Sequence, residues 1–146
     1  MEIFSIGFTK TSAEHFFTRL TAARVRRVVD VRLNTTSQLA GFAKGRDLPF
    51  FLKVVGDIDY RHEPLLCPTD DILEDYKRRK SMTWGEYERR FLELMRARSI
   101  ETALHREEFR TPTALLCSEA TPEQCHRRLV LEYLRERWPE VTITHL

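Results

Sequence analysis

Short apolar runs of strand length alternate along this chain with longer segments of helical period, and that alternation admits few folds. Glu2–Ile6, Arg27–Val31, Ile58–His62, Thr113–Cys117 and Val141–His145 read as strands. Strands separated by helices must be joined by crossovers. That predicts a mainly parallel sheet covered by helices on both faces, with right-handed connections. The expectation is a three-layer α/β domain with a central sheet of about five strands. A chain of 146 residues suits a single domain over 1–146, large enough to bury roughly two thirds of its unfolded surface.

Local signals place the helices. Thr11-Ser12-Ala13-Glu14 has capping-box spacing, with Thr11 as N-cap, ahead of Phe16, Phe17 and Leu20 on one face. The polar stretch 33–47 reads as a long loop and Leu48–Val55 as a short helix. Pro64 and Pro68 break the chain. Thr69-Asp70-Asp71 starts a helix to about residue 79, and Thr83-Trp84-Gly85-Glu86 another to about residue 98. Residues 101–107 suit one further turn or two. The 69–107 block exceeds one crossover and predicts a helical insertion at one edge. Thr121-Pro122-Glu123-Gln124 places Thr at the N-cap, Pro at N1 and Gln at N3, predicting a helix over Thr121–Arg137.

The densest chemistry lies in that last strand–turn–helix, where Cys117, Glu119, Cys125, His126 and Arg127 fall within eleven residues. Open parallel sheets build their sites at such turns. A helix start at Thr121 would leave free N–H groups able to receive an anion. Cys117, ending an apolar strand, reads either as core packing or as a nucleophile whose pKa is lowered by the helix terminus and Arg127. His126 reads as a base or as a hydrogen-bonded structural histidine. Cys117, Cys125 and His126 could also ligate zinc, but neither C-x-x-C nor H-x-x-x-H spacing is present, so no metal or other cofactor is assigned.

A second cluster, Asp30-Val31-Arg32, ends another apolar strand. Alternation puts Asp30 and Arg32 on one side, as a structural salt bridge or as a ligand-orienting pair at the crevice. Gly7 and Thr9 end the first strand similarly, and the 33–47 loop offers Lys44 and Arg46 beside Phe42. Between 77 and 98, Lys77, Arg78, Arg79, Lys80, Arg89, Arg90, Arg96 and Arg98 accompany Trp84 and Tyr87. They suit a nucleic-acid surface, but Glu86, Glu88 and Glu93 suit a salt-bridged solvated face. A formal net charge of +2 gives nucleic acid no global support. Three cysteines without framework spacing and no apolar leader near Met1 predict a reduced, cytoplasmic protein. No membrane partner is expected, because no window reaches the apolar length of a span.

Ser5-Ile6-Gly7-Phe8-Thr9, Asp30-Val31-Arg32, Gly41-Phe42-Ala43-Lys44, Tyr60-Arg61-His62 and Leu116-Cys117-Ser118-Glu119 with Cys125-His126-Arg127 occur in that order. In these motifs the chain resembles the bacterial and archaeal family catalogued as domain of unknown function 488, over nearly its whole length. Phe8 departs from the pattern, since relatives often carry histidine or tyrosine there. The resemblance implies a small α/β domain with its signature residues at one sheet edge, and it implies no reaction. The expected function is a small enzyme or enzyme-like domain binding an anionic, nucleotide- or nucleic-acid-derived ligand at the strand carboxyl ends. Asp30 and Arg32 would orient that ligand, with Gly7, Thr9, Lys44, Thr121 and Arg127 around it. Cys117, Glu119 and His126 would supply reactive groups. The alternative is a non-catalytic module docking nucleic acid or protein through the Arg-rich 77–98 helices.

Overall fold

The computed structural model describes residues 1–36 and 40–146. The part of the expected 33–47 loop at 37–39 lies outside the described residues. Five strands form one parallel sheet: β1 (Glu2–Ile6), β2 (Arg27–Asp30), β3 (Asp59–His62), β4 (Thr113–Leu116) and β5 (Thr142–His145), in the order β3-β2-β4-β1-β5. Every pairing is parallel. Six α-helices cover it: α1 (Ala13–Ala22), α2 (Leu48–Gly56), α3 (Asp70–Lys77), α4 (Trp84–Ala97), α5 (Ile100–Ala103) and α6 (His126–Arg137). This is the three-layer α/β arrangement that the alternating pattern predicts.

The strand period of two divides the core. Phe4, Ile6, Val28, Ala114 and Leu116 join Phe16, Phe17 and Leu20 of α1 and Leu48 and Leu52 of α2. Ile3, Val29 and Leu115 face the other way, into a cluster with Tyr87, Phe91 and Met95 of α4 and Leu129, Val130 and Leu134 of α6. The 69–107 insertion thus supplies much of one layer rather than standing off the sheet edge. Thr83 caps α4 with a full capping box through Glu86, and the buried positions at 87, 91 and 95 recur every four residues. Truncating the fully buried Phe91 to alanine costs about 3–5 kcal/mol. Among the described residues no helix is long and apolar enough to cross a membrane.

Two helix starts differ from the sequence expectation. Ser12, not Thr11, caps α1, its side chain accepting from the His15 N–H at 3.1 Å. The last helix begins at His126 with Cys125 as N-cap, not at Thr121. Residues 121–124 make a separate turn, closed by the Cys125 N–H donating to the Pro122 carbonyl at 3.2 Å. Cys125 is then extended (φ −136°, ψ 135°) before the helix starts. The 101–107 region divides between α5 and a 3-10 turn over Arg106–Arg110.

The register sets the site. Ile6 pairs with Leu116, Leu116 with Asp30, and Asp30 with His62, forming one row at the carboxyl edge. The chain leaves β4 for α6 on one face, while its neighbours β1 and β2 lead to α1 and α2 on the other. Crevices open where adjacent connections part in this way. Cys117, the first residue after β4, stands at both partings.

Candidate functional site

The loop after β4 lies directly on the end of β1. The Cys117 N–H donates to the Ile6 carbonyl at 3.2 Å, and the Thr9 N–H and hydroxyl donate to the Ser118 carbonyl at 3.0 and 2.5 Å. A Cβ on Gly7 would stand 1.7 Å from the Glu119 carbonyl oxygen, so only glycine permits this approach. The same oxygen accepts from Arg127 Nη1 at 2.7 Å. Arg127 is 1% exposed. It also donates through Nε to the Ser5 hydroxyl at 3.3 Å and through Nη1 to Cys125 Sγ at 3.4 Å. Its role is to fix the 118–125 turn against β1 and to bring a positive charge beside the sulfurs.

Cys117, Cys125 and His126 are all buried, and their two sulfurs and a ring nitrogen lie within 4.8 Å of one another. His126 Nε2 donates to the Val31 carbonyl at 2.7 Å, and Cys117 Sγ lies 3.8 Å from Nδ1 and 4.0 Å from Nε2. The Cys117 thiol is held well below its ordinary pKa. A hydrogen bond from Cys125 does most of this, outweighing burial, and the charges of His126 and Arg127 add to it. Cys125 is pushed the other way by its bond to Cys117 and by burial, so it keeps its proton. His126 is raised: burial opposes its charge, but the Cys117 thiolate and the Val31 carbonyl more than compensate. A lowered Cys117 and a raised His126 favour a thiolate–imidazolium pair, with Cys125 as a protonated thiol beside it. The three atoms also meet the spacing of a metal cluster, and His126 anchored on a carbonyl has the second partner that ligating histidines use.

On the opposite face of the same edge, Asp30 and Arg32 form a buried bidentate pair. Arg32 Nε donates to Oδ1 at 2.9 Å and Nη2 to Oδ2 at 2.7 Å. The Arg32 N–H reaches Oδ1 at 3.1 Å and the Tyr60 hydroxyl donates to Oδ2 at 2.7 Å, so both carboxylate oxygens are filled. Arg32 Nη2 also donates to the Ala43 carbonyl at 2.7 Å. The guanidinium lies over the Phe8 ring at 5.1 Å, so the phenylalanine at that position supports a buried cation. One donor remains: Arg32 Nη1 is buried and has no hydrogen-bond partner among the described residues.

Arg32, Cys117, Cys125 and His126 line one cleft of about 1020 Å³ together with Thr9, Ser118 and Glu119, a size at the upper end for small-ligand sites. Its far wall comes from α3 and α4. Tyr76, Trp84 and Tyr87 stack in succession at 4.8–5.8 Å, and Tyr87 and Phe91 continue the line to the His126 ring. Lys77 and Arg78 stand on the same wall. Lys77 pairs with the Glu119 carboxylate across the cleft.

The structure therefore brings Thr9, Arg32, Cys117, Glu119 and His126 around the cleft, with Gly7, Asp30 and Arg127 packed behind them. Thr121 is exposed in the turn before α6 and caps nothing, so the free N–H groups expected there belong instead to the helix start at Cys125 and His126. Lys44 is not among the lining residues. Its carbonyl accepts from the Leu48 N–H at 2.8 Å at the start of α2. Sequence reasoning named Tyr60 only within the Tyr60-Arg61-His62 motif and gave it no role of its own; its place on the same side as Asp30 becomes visible only through the β2–β3 register. It also read Trp84 and Tyr87 as part of a helix face rather than as a wall of the cleft. The charges of that face are largely paired: Arg89 with Glu93, Arg90 with Asp71 and Asp75, Arg79 with Asp75.

The family model described as Domain of unknown function DUF488 matches residues 12–134. No curated protein and no solved structure matches the chain.

Proposed function

The chain belongs to the DUF488 family, whose description assigns no reaction, and we propose that it is a small enzyme-like domain that binds an anionic ligand derived from a nucleotide or nucleic acid in this cleft. One observation carries the reading. Arg32 is 4% exposed, lines the cleft and keeps Nη1 without a partner among the described residues although its charge is already neutralised by Asp30. An unmet buried donor costs about 1–3 kcal/mol, and a phosphate oxygen would satisfy it. The N-terminus of α6 adds positive potential at the same end. Tyr76 and Trp84 offer the faces on which a base stacks, each such contact contributing about 1–3 kcal/mol.

Cys117 then stands as the nucleophile. Its thiolate attacks an electrophilic centre of the bound ligand, and the His126 imidazolium gives its proton to the group that leaves. Thermal melts with inorganic phosphate, nucleoside monophosphates and short oligonucleotides test the binding. Ligand at about 100 times Kd stabilises by about 2.7 kcal/mol, a shift of several degrees. Arg32→Lys keeps a charge for Asp30 but lacks the second amino group, and it should lose that shift. Absence of stabilisation by every anion, or an equal shift in Arg32→Lys, would contradict the reading.

A further inference from the structure

Cys117 and Cys125 differ from Cys67 in a way that a single nucleophile does not require. Cys67 Sγ donates to the Arg32 and Glu63 carbonyls at 3.3 and 3.4 Å, and burial pushes its thiol up to about 12. It is a packed thiol. Cys117 and Cys125 instead face each other within 4.8 Å and both line the cleft, the Cys117 thiol lowered and the Cys125 thiol raised by their contact. They are separated by a turn that is neither helix nor strand, and Cys125 is the N-cap rather than a residue within α6.

We propose that Cys117 and Cys125 form an oxidisable pair, in which a hydroperoxide converts Cys117 to a sulfenic acid and Cys125 closes it to a disulfide. The Cys117 thiolate attacks the terminal oxygen of R–O–O–H. The S–O bond forms, the O–O bond breaks, and the departing alkoxide leaves as R–OH with the proton from His126. Sulfur loses two electrons and the peroxide gains them. Cys125 sulfur then attacks Cys117 sulfur. The S–S bond forms, the S–O bond breaks, and the departing hydroxide takes the Cys125 proton and leaves as water. A thiolate with a resolving thiol beside it is the arrangement that favours this sequence over further oxidation. Closing to about 2.05 Å draws on the Cys125 end of the 118–125 segment, which is neither strand nor helix and is held against β1 through the Ser118 and Glu119 carbonyls rather than at residue 125. Arg127, already bonded to Cys125, keeps that sulfur facing Cys117.

The test uses the full chain, dialysed against EDTA, and treated with one equivalent of hydrogen peroxide. Intact mass should fall by two hydrogens, and peptide mapping should find Cys117 joined to Cys125 with Cys67 reduced. Dithiothreitol should restore the mass. In Cys125→Ser, dimedone should trap a sulfenic acid at Cys117. Oxidation of Cys67 before Cys117, a disulfide that includes Cys67, or no change in mass would overturn the proposal. Phosphate or nucleotide binding is not needed for any of these results, so the oxidation and the ligand reading can fail separately.

Discussion

Two buried ionic clusters stand at the same sheet edge, one on each face, and they are built to different tolerances. Asp30 and Arg32 close on each other with bonds of 2.7–3.1 Å, and Tyr60 and Ala43 fill most of what remains. Cys117 meets the two His126 nitrogens at 3.8 and 4.0 Å, and its partners Cys125 and Arg127 share their bonds with other groups. A satisfied polar network rigidifies. A thiolate held by charge rather than by short bonds stays available to react. In the proposed reading the first cluster positions one donor, Arg32 Nη1, and the second supplies the chemistry.

Stability should separate the clusters most sharply. Arg32→Ala strands the Asp30 carboxylate, costing about 3–5 kcal/mol and lowering the melting temperature by about 10 °C. Cys117→Ser should cost about 1 kcal/mol, since a hydroxyl of similar size can still hydrogen-bond and His126 can lose its proton once the thiolate is gone. Equal losses in calorimetry would erase the distinction. Gly7→Ala should fall between them. Its Cβ meets backbone at the Glu119 oxygen, which cannot rotate away, so about 1–3 kcal/mol is lost. Alkylation of Cys117 should change with it, because the same loop carries the thiol. A melt lowered without any change in Cys117 labelling would uncouple the loop from the site.

The pH dependence sharpens the comparison. The folded Cys117–His126 pair holds one proton. The unfolded pair also holds one between about 6.5 and 8.5, the ordinary His and Cys values, so this pair contributes no slope there. Below about 6.5 the unfolded pair binds two. The lowered Cys117 pKa then makes stability fall as pH drops toward its folded value. Above about 8.5 the unfolded pair binds none, and the raised His126 pKa makes stability fall as pH climbs through its folded value. Cys117→Ser and His126→Asn should each flatten the alkaline arm of a melting-temperature profile, because His126 keeps its proton there only beside the Cys117 thiolate. An unchanged profile in both variants would deny the ion pair.

The smallest effect belongs to the Arg-rich helices. Arg89→Glu should change stability by a few tenths of a kcal/mol, since its partner Glu93 is exposed and screened. Reversal at Arg79, Arg89 and Arg90, which lie outside the cleft lining, should leave any oligonucleotide affinity and its salt slope nearly unchanged. A slope that flattens by several phosphate contacts would move recognition from the cleft to these helices.

Strands were legible because their apolar runs are short and bounded: Glu2–Ile6 matches its observed limits, and β2 and β4 each end one residue before the expected terminus. Thr83 and Glu86 announced α4 correctly because their capping box is satisfied locally. Thr121-Pro122 carries as strong a local signal and starts no helix. There the chain must cross Gly7 and present the Glu119 carbonyl to Arg127, and those long-range contacts set its path. The site was legible in part. Clustering identified Cys117, His126 and Arg32, but the aromatic wall and Tyr60 reach them only through packing between elements far apart in sequence. Thr121 and Lys44 were placed by local pattern, and tertiary contacts put both outside the cleft lining.

The most direct measurement is the alkylation rate of each cysteine by iodoacetamide, followed by peptide mass from pH 5 to 9, with and without phosphate or a nucleoside monophosphate. Cys117 should react below neutral pH, ahead of Cys125 and Cys67, and the anion should slow it in the wild type but not in Arg32→Lys. Slow and equal labelling of all three thiols, indifferent to anions, would leave the cluster as core packing and contradict the account.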